Sequence, residues 1–301
     1  MIPKALGDLL RLRWLIHRWP SVDEPSVTRR RAALDALCGG GSSAGVRVLV
    51  VVSHADDEVA WAASSLCQLH DRVTLVYVTD GAPRNRLSLR DSGFPSAAAY
   101  AAARRLERDR ALALMNIASG QVHELNYVDQ QAKCNLVALT ERLDALIEAT
   151  KPNIVLTHAY EGGHVDHDAT AYAVHHAVRS RRDSGRVTPV IIEFAGYHRR
   201  FGRQRTFRFL PAHHCETRTV VLTPAMRRLK QQLFDCYSSQ ASALRYYPIA
   251  VERFRCAPRY DFRESANWER VLYADQAIDG EPHRTLSRAM IDEADDALRA
   301  R

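Results

Sequence analysis

Two strongly apolar runs stand far apart in the chain, and each ends in histidine and carboxylate. Residues 46–52 read V-R-V-L-V-V-V and open into Ser53-His54-Ala55-Asp56-Asp57-Glu58; residues 153–157 read N-I-V-L-T and open into His158-Ala159-Tyr160-Glu161-Gly162-Gly163-His164-Val165-Asp166-His167-Asp168. Near-continuous β-branched runs of this length predict central parallel strands buried on both faces. The positions between and after them predict helices over 57–69, 96–115 (Ser96 as N-cap), 136–149 (stopped by Pro152) and 168–181. Strands are predicted over 72–79, 122–127, 189–197 and 217–223, a polar loop over 84–95, a helix from Pro224 and a final helix beyond Pro282. This alternation predicts an α/β fold, a Rossmann-like, mostly parallel sheet with helices on both faces, in a single large domain. The expected division is an N-terminal helical segment over 1–38, a Gly/Ser linker over 39–45, the catalytic domain over 46–262 and a C-terminal extension over 263–301.

The glycines of the linker precede the first strand, whereas a dinucleotide fingerprint must follow it, and the residues that do follow are acidic. Nucleotide binding of that kind is excluded on position and on charge. With 301 residues, 46% hydrophobic and 26% charged, the composition is that of a globular protein. The net charge of +7 comes almost wholly from arginine. Such a balance suits an anionic partner, but the arginines are scattered and form no aromatic-interleaved stripe, so nucleic acid is not an expected partner.

The six cysteines (38, 67, 134, 215, 236, 256) are widely spaced without a C-x-x-C pair. They read as small buried hydrophobes in a reducing compartment, which makes the expected location cytoplasmic. No apolar run reaches the ~18 residues of a membrane span. Residues 6–19 are amphipathic and arginine-interrupted, unlike a signal peptide. They suit either peripheral membrane contact or packing on the domain or on a partner subunit of a homo-oligomer.

The chemistry lies at the two strand ends. Active sites of open α/β sheets form beyond the carboxyl ends of the strands, and hydrolytic zinc takes three His or carboxylate ligands and keeps one position open. His54 and Asp57 are three apart where strand becomes helix, and His164 and His167 repeat that spacing. Together they point to a metal-assisted hydrolase. The adjacent pairs His175-His176 and His213-His214 lack such a pattern and read as structural.

H-x-D-D-E after the first strand, with H-x-D-H after a Gly-Gly loop, resembles the LmbE-like/PIG-L family of zinc-dependent de-N-acetylases. The resemblance covers most of 46–262 and includes Thr79-Asp80-Gly81, Arg104 with Glu107, the run from Lys151 to Val155, Lys230 and Tyr237-Ser238-Ser239-Gln240. It implies one Zn²⁺ per chain held by His54, Asp57 and His167. It implies Asp56 as general base and His164, oriented by Asp166, as the group that steadies the oxyanion. The implied substrate is a small-molecule N-acetylated sugar or glycoconjugate. Ala55 departs from the family, which usually has proline there.

Glu58, Glu161 and Asp168 are candidates for carboxylates that fix imidazole tautomers. Arg84, Arg104, Asp129 and His198 are the residues expected to face substrate, in or near the loops over 84–95, 129–134 and 197–205. Two other readings stay open: hydrolysis of a non-sugar amide, such as a thiol conjugate or natural-product intermediate, and a catalytically idle ligand-binding module.

Overall fold

The computed structural model describes residues 25–84, 86–212, 215–267, 269, 272–273 and 284–300. The amphipathic segment over 6–19 and the His213-His214 pair lie outside these residues. In chain order the elements are α1 (Val27–Leu37), β1 (Val48–Val52), α2 (Asp57–Gln68), β2 (Val73–Thr79), α3 (Arg86–Asp91), α4 (Ala97–Leu114), β3 (Val122–Tyr127), α5 (Leu136–Thr150), β4 (Ile154–His158) and α6 (Val165–Asp183). There follow β5 (Val190–Phe194), β6 (Tyr197–Arg200), β7 (Arg203–Thr206), β8 (Thr217–Val221), α7 (Pro224–Asp235), α8 (Ala241–Leu244), β9 (Val251–Cys256) and α9 (Arg288–Arg299).

Seven strands form one sheet in the order β3-β2-β1-β4-β5-β9-β8. The first five are parallel, and β9 and β8 add an antiparallel edge. All five residues of β1 are buried, and they alternate between two cores. Val48, Val50 and Val52 face Leu34 and Leu37 of α1, Trp61 and Leu66 of α2, and Leu233 and Phe234 of α7. Leu49 and Val51 face Leu139 and Leu143 of α5, Tyr172 of α6, and Ile291 and Ala294 of α9. A strand buried on both sides has no polar face, and this is why its sequence is continuously apolar. Both flanks of 46–262 thus add a helix to the central core.

Three elements differ from the sequence reading. The loop predicted over 84–95 contains the helix α3. The single strand predicted over 189–197 is β5 followed by β6, which turns back on β7 as a separate hairpin. The strand β9 was not expected. Its sequence, V-E-R-F-R-C, hides a buried strand because two inward-facing residues are charged and paired. Glu252 accepts from Lys230 Nζ at 2.8 Å, and Arg255 Nε donates to Glu193 at 2.8 Å.

The chain order 3-2-1-4-5 reverses direction between β1 and β4, which creates the crevice where α/β sheets bind ligands. The two mouths lie on these neighbouring strands. Ser53 N–H, just past β1, donates to Nε2 of His158 at the end of β4, at 3.0 Å. All six cysteines are free thiols. No helix among the described residues is long and apolar enough to cross a membrane.

Candidate metal centre

The turn after β1 aims two adjacent carboxylates in different directions. Asp56 has φ 127°, a left-handed conformation that costs a non-glycine residue about 1–3 kcal/mol and persists only when its surroundings enforce it. Here they do. Asp56 N–H donates to Glu58 Oε2 at 3.0 Å, and Tyr237 Oη donates to the other oxygen of buried Glu58. Arg104 Nη2 donates to Ala55 O and, at 2.8 Å, to Asp56 Oδ1, while Arg104 Nη1 donates to Gly81 O at 2.8 Å. These bonds hold the turn that begins at Ala55. Asp57 opens α2, with Oδ2 accepting from His54 N–H at 2.8 Å and Oδ1 from Trp61 Nε1 at 3.2 Å.

At the second mouth, Gly163 lies so close to β6 that a Cβ there would sit 2.0 Å from Tyr197 O, so no side chain fits. The chain then enters α6 through His164, the N-cap, whose Nδ1 accepts from Asp166 N–H at 3.2 Å. That bond puts the proton of a neutral His164 on Nε2.

His54, Asp57, His164 and His167 come together. Asp57 lies 3.4 Å from His54 Nδ1 through Oδ2 and 3.4 Å from His167 Nε2 through Oδ1. The rings of His54 and His164 are 4.7 Å apart, and those of His54 and His167 5.3 Å. Three overlapping trios have donor atoms close enough to share a metal ion: His54, His164 and His167; Asp57, His158 and His167; and His54, Asp129 and Asp166. The sequence-predicted ligands are spread over the first two of these. Four of the residues had not been assigned to the metal: His164 and Asp166, expected at the oxyanion, and His158 and Asp129. His158, the last residue of β4, stacks on His167 with ring centres 3.9 Å apart and lies 3.4 Å from Asp57 Oδ2. Asp129 lies 3.2 Å from His54 Nε2. A histidine ending a buried strand is the signal that could have found His158; nothing local marks Asp129.

Electrostatics divide the imidazoles. Burial pushes His164 and His167 down to about 3, so both are neutral, the form that ligates metals. Burial also works to lower His54, but Asp129, Asp166 and Asp57 together raise it well above its usual range. Burial would raise Asp57, yet His167 and His158 hold it well below the ordinary carboxylate range. Asp56 goes the other way. Burial pushes it up to about 7 against the pull of Arg104.

The expected link between Asp166 and His164 has a different form. The Asp166 carboxylate accepts from Gln130 N–H at 2.7 Å and Ala132 N–H at 3.2 Å and lies 3.2 Å from His54 Nε2; only its backbone N–H meets His164. Asp168 is likewise used by the backbone, accepting from Glu161 and Gly162 N–H at 3.1 and 3.2 Å. Of the three carboxylates expected to fix imidazoles, Glu161 alone meets one, His198 Nδ1 at 3.2 Å. Of the four residues expected to face substrate, Arg104 is buried beneath the Asp56 turn, Asp129 faces His54 and His198 faces Glu161. Arg84 lies at the surface, paired with Asp80. His175 and His176 lie away from the cluster, 3.6 Å from Glu193 and Asp295 respectively.

Residues 49–178 match the family described as GlcNAc-PI de-N-acetylase (PIG-L). No curated protein matches the chain. Among solved structures, the zinc-inhibited form of teicoplanin deacetylase Orf2 is similar at 17% identity and a TM-score of 0.54, over 72% of this chain and 99% of that one. N,N'-diacetylchitobiose deacetylase from Pyrococcus horikoshii is similar at 17% identity and a TM-score of 0.52, over 80% of this chain and 95% of that one. So is GalB, the 4-carboxy-2-hydroxymuconate hydratase from Pseudomonas putida KT2440, at 16% identity and a TM-score of 0.51, over 71% and 98%. At these identities the likeness is one of fold, and the fold hosts more than one chemistry. The family match is more specific, since residues 49–178 span both mouths of the crevice, and over those residues the chain resembles the PIG-L/LmbE-like family.

Proposed function

We propose that this protein is a zinc-dependent hydrolase that removes an N-acetyl or N-acyl group from an amino-sugar conjugate. One observation carries the metal. His167 Nε2 is buried without a hydrogen-bond partner, beside Asp57 and between His158 and His54. A buried polar atom left unpaired costs about 1–3 kcal/mol, and a cation ligated there would remove that cost. His54, Asp57 and His167 are the proposed ligands, a nitrogen and oxygen set suited to zinc. When bound, zinc would polarise the amide carbonyl and acidify water.

The remaining steps fall to the chain. Asp56 Oδ1 is held by Arg104, which leaves Oδ2 to take the proton of attacking water and deliver it to the leaving nitrogen. A carboxyl pushed up to about 7 suits both halves of that transfer near neutral pH. His164, kept as the Nε2–H tautomer by Asp166 N–H, donates to the oxygen that gains charge. The amino-sugar class is supported by the family description and by the chitobiose deacetylase among the fold relatives.

The test is release of free amine and acetate from a panel of N-acetylated sugars, glycolipids and nucleotide sugars by protein loaded with one equivalent of zinc. His167→Ala is expected to lose both metal, by elemental analysis, and amine release. Full activity in His167→Ala stripped of metal would sink the reading. His164→Ala is expected to keep its metal while turnover falls about 10²- to 10³-fold, the usual cost of one oxyanion donor. Metal loss in that variant would make His164 a ligand.

A further inference from the structure

A second cavity, of about 560 Å³, lies on the other side of β6 from the metal cluster. Side chains alternate along a strand. Tyr197 turns its ring to within 5.3 Å of His167, whereas the next residue, His198, lines the cavity. Arg205 pairs in register with His198 across the hairpin and lines the same cavity. Arg200, Arg208, Arg253 and Arg255 also contribute, and among the described residues no carboxylate lines the wall.

One of the five arginines is neutralised from behind. Arg255 donates to Glu193 at 2.8 Å and lies 3.8 Å from Glu161, with its guanidinium 4.1 Å over the ring of Phe209. Arg200 shares the field of Glu269. Arg205, Arg208 and Arg253 have no carboxylate within ion-pairing distance among the described residues, and Arg253 Nε is buried with no hydrogen-bond partner. Like charges gathered around a concavity raise one another's energy, and a buried guanidinium N–H without an acceptor adds to that cost. Both costs vanish when an oxyanion enters.

We propose that this cavity binds the phosphate group of a small organic phosphate. Three free guanidinium groups match the charge of about −1.5 to −2 and the three acceptor oxygens of a phosphate monoester better than a single carboxylate. The volume falls within the range of about 300–1,000 Å³ typical of small-molecule sites, so the organic part fits as well, beside Phe209. The site stands apart from the metal chemistry, because the cavity and the cluster lie on opposite faces of β6.

The probes are glucose 6-phosphate and inorganic phosphate, with glucose as the uncharged control, measured by calorimetry on the metal-loaded protein. Both phosphates are expected to bind saturably, one per chain, and glucose not to bind. Arg205 and Arg208 are exposed, so Arg205→Glu with Arg208→Glu leaves the core intact. That pair is expected to weaken both phosphates about ten- to a hundredfold or more. Arg253→Gln is expected to weaken them at least several-fold, and His167→Ala to leave them unchanged. No binding by the parent protein, binding unaffected by the double charge reversal, or binding lost with His167→Ala would each overturn the proposal. The last would put the anion at the metal instead.

Discussion

Asp56→Asn is expected to cut turnover by about 10²- to 10⁴-fold, the scale of a general acid–base group, while the metal stays bound. The substitution leaves the geometry alone. An asparagine oxygen can still accept from Arg104 Nη2, as Asp56 Oδ1 does at 2.8 Å. Asparagine also tolerates positive φ better than most residues, and φ here is 127°. What disappears is the oxygen that takes a proton. Asp57→Asn is the matched control, and it is expected to loosen the metal instead, since Asp57 faces His54, His158 and His167 at 3.4 Å each. Metal content by elemental analysis beside kcat separates the two. Equal metal loss in both variants would mean that base and ligand are not divided between these neighbours.

The second large effect is on stability and lies away from the chemistry. Lys230 and Glu252 form an ion pair at 2.8 Å in which both side chains are fully buried. Burial lowers the Lys230 pKa, with Glu252 opposing it. Ser64 of α2 donates to Glu252 through Oγ at 2.5 Å and through its N–H. The pair therefore ties α7 and β9 to the helix that begins at Asp57. Lys230→Met removes the cation and leaves the carboxylate buried, at an expected cost of about 3–5 kcal/mol. Urea denaturation measures it. Lys230→Met combined with Glu252→Leu is expected to recover most of that loss, because well-packed apolar residues replace a buried pair at little cost. A single variant within about 1 kcal/mol of the parent would show that Ser64 and its surroundings suffice for Glu252.

What the sequence determined by itself is whatever depends on neighbours along the chain. The apolar runs of β1 and β4, the N-cap at Ser96, the first-turn proline at Pro224 and the parallel α/β alternation are all local signals, and each is present. So are the two acidic mouths and the three-residue spacings that turn His54 with Asp57, and His164 with His167, toward one place. Pairing across long separations was decided only by the tertiary structure. The sequence could offer Asp166 to its neighbour His164, but the loop carrying Gln130 and Ala132 is folded over it and takes the carboxylate. Arg104, Asp129 and His198 were legible as polar residues near the cleft, yet their partners, Asp56, His54 and Glu161, lie 37 to 75 positions away in the chain. The strand β9 was concealed for the same reason. Its buried charges make sense only once Lys230 and Glu193 arrive from other elements. Periodicity reports which face of an element is buried, but which charge meets which is set by the packing of several elements at once.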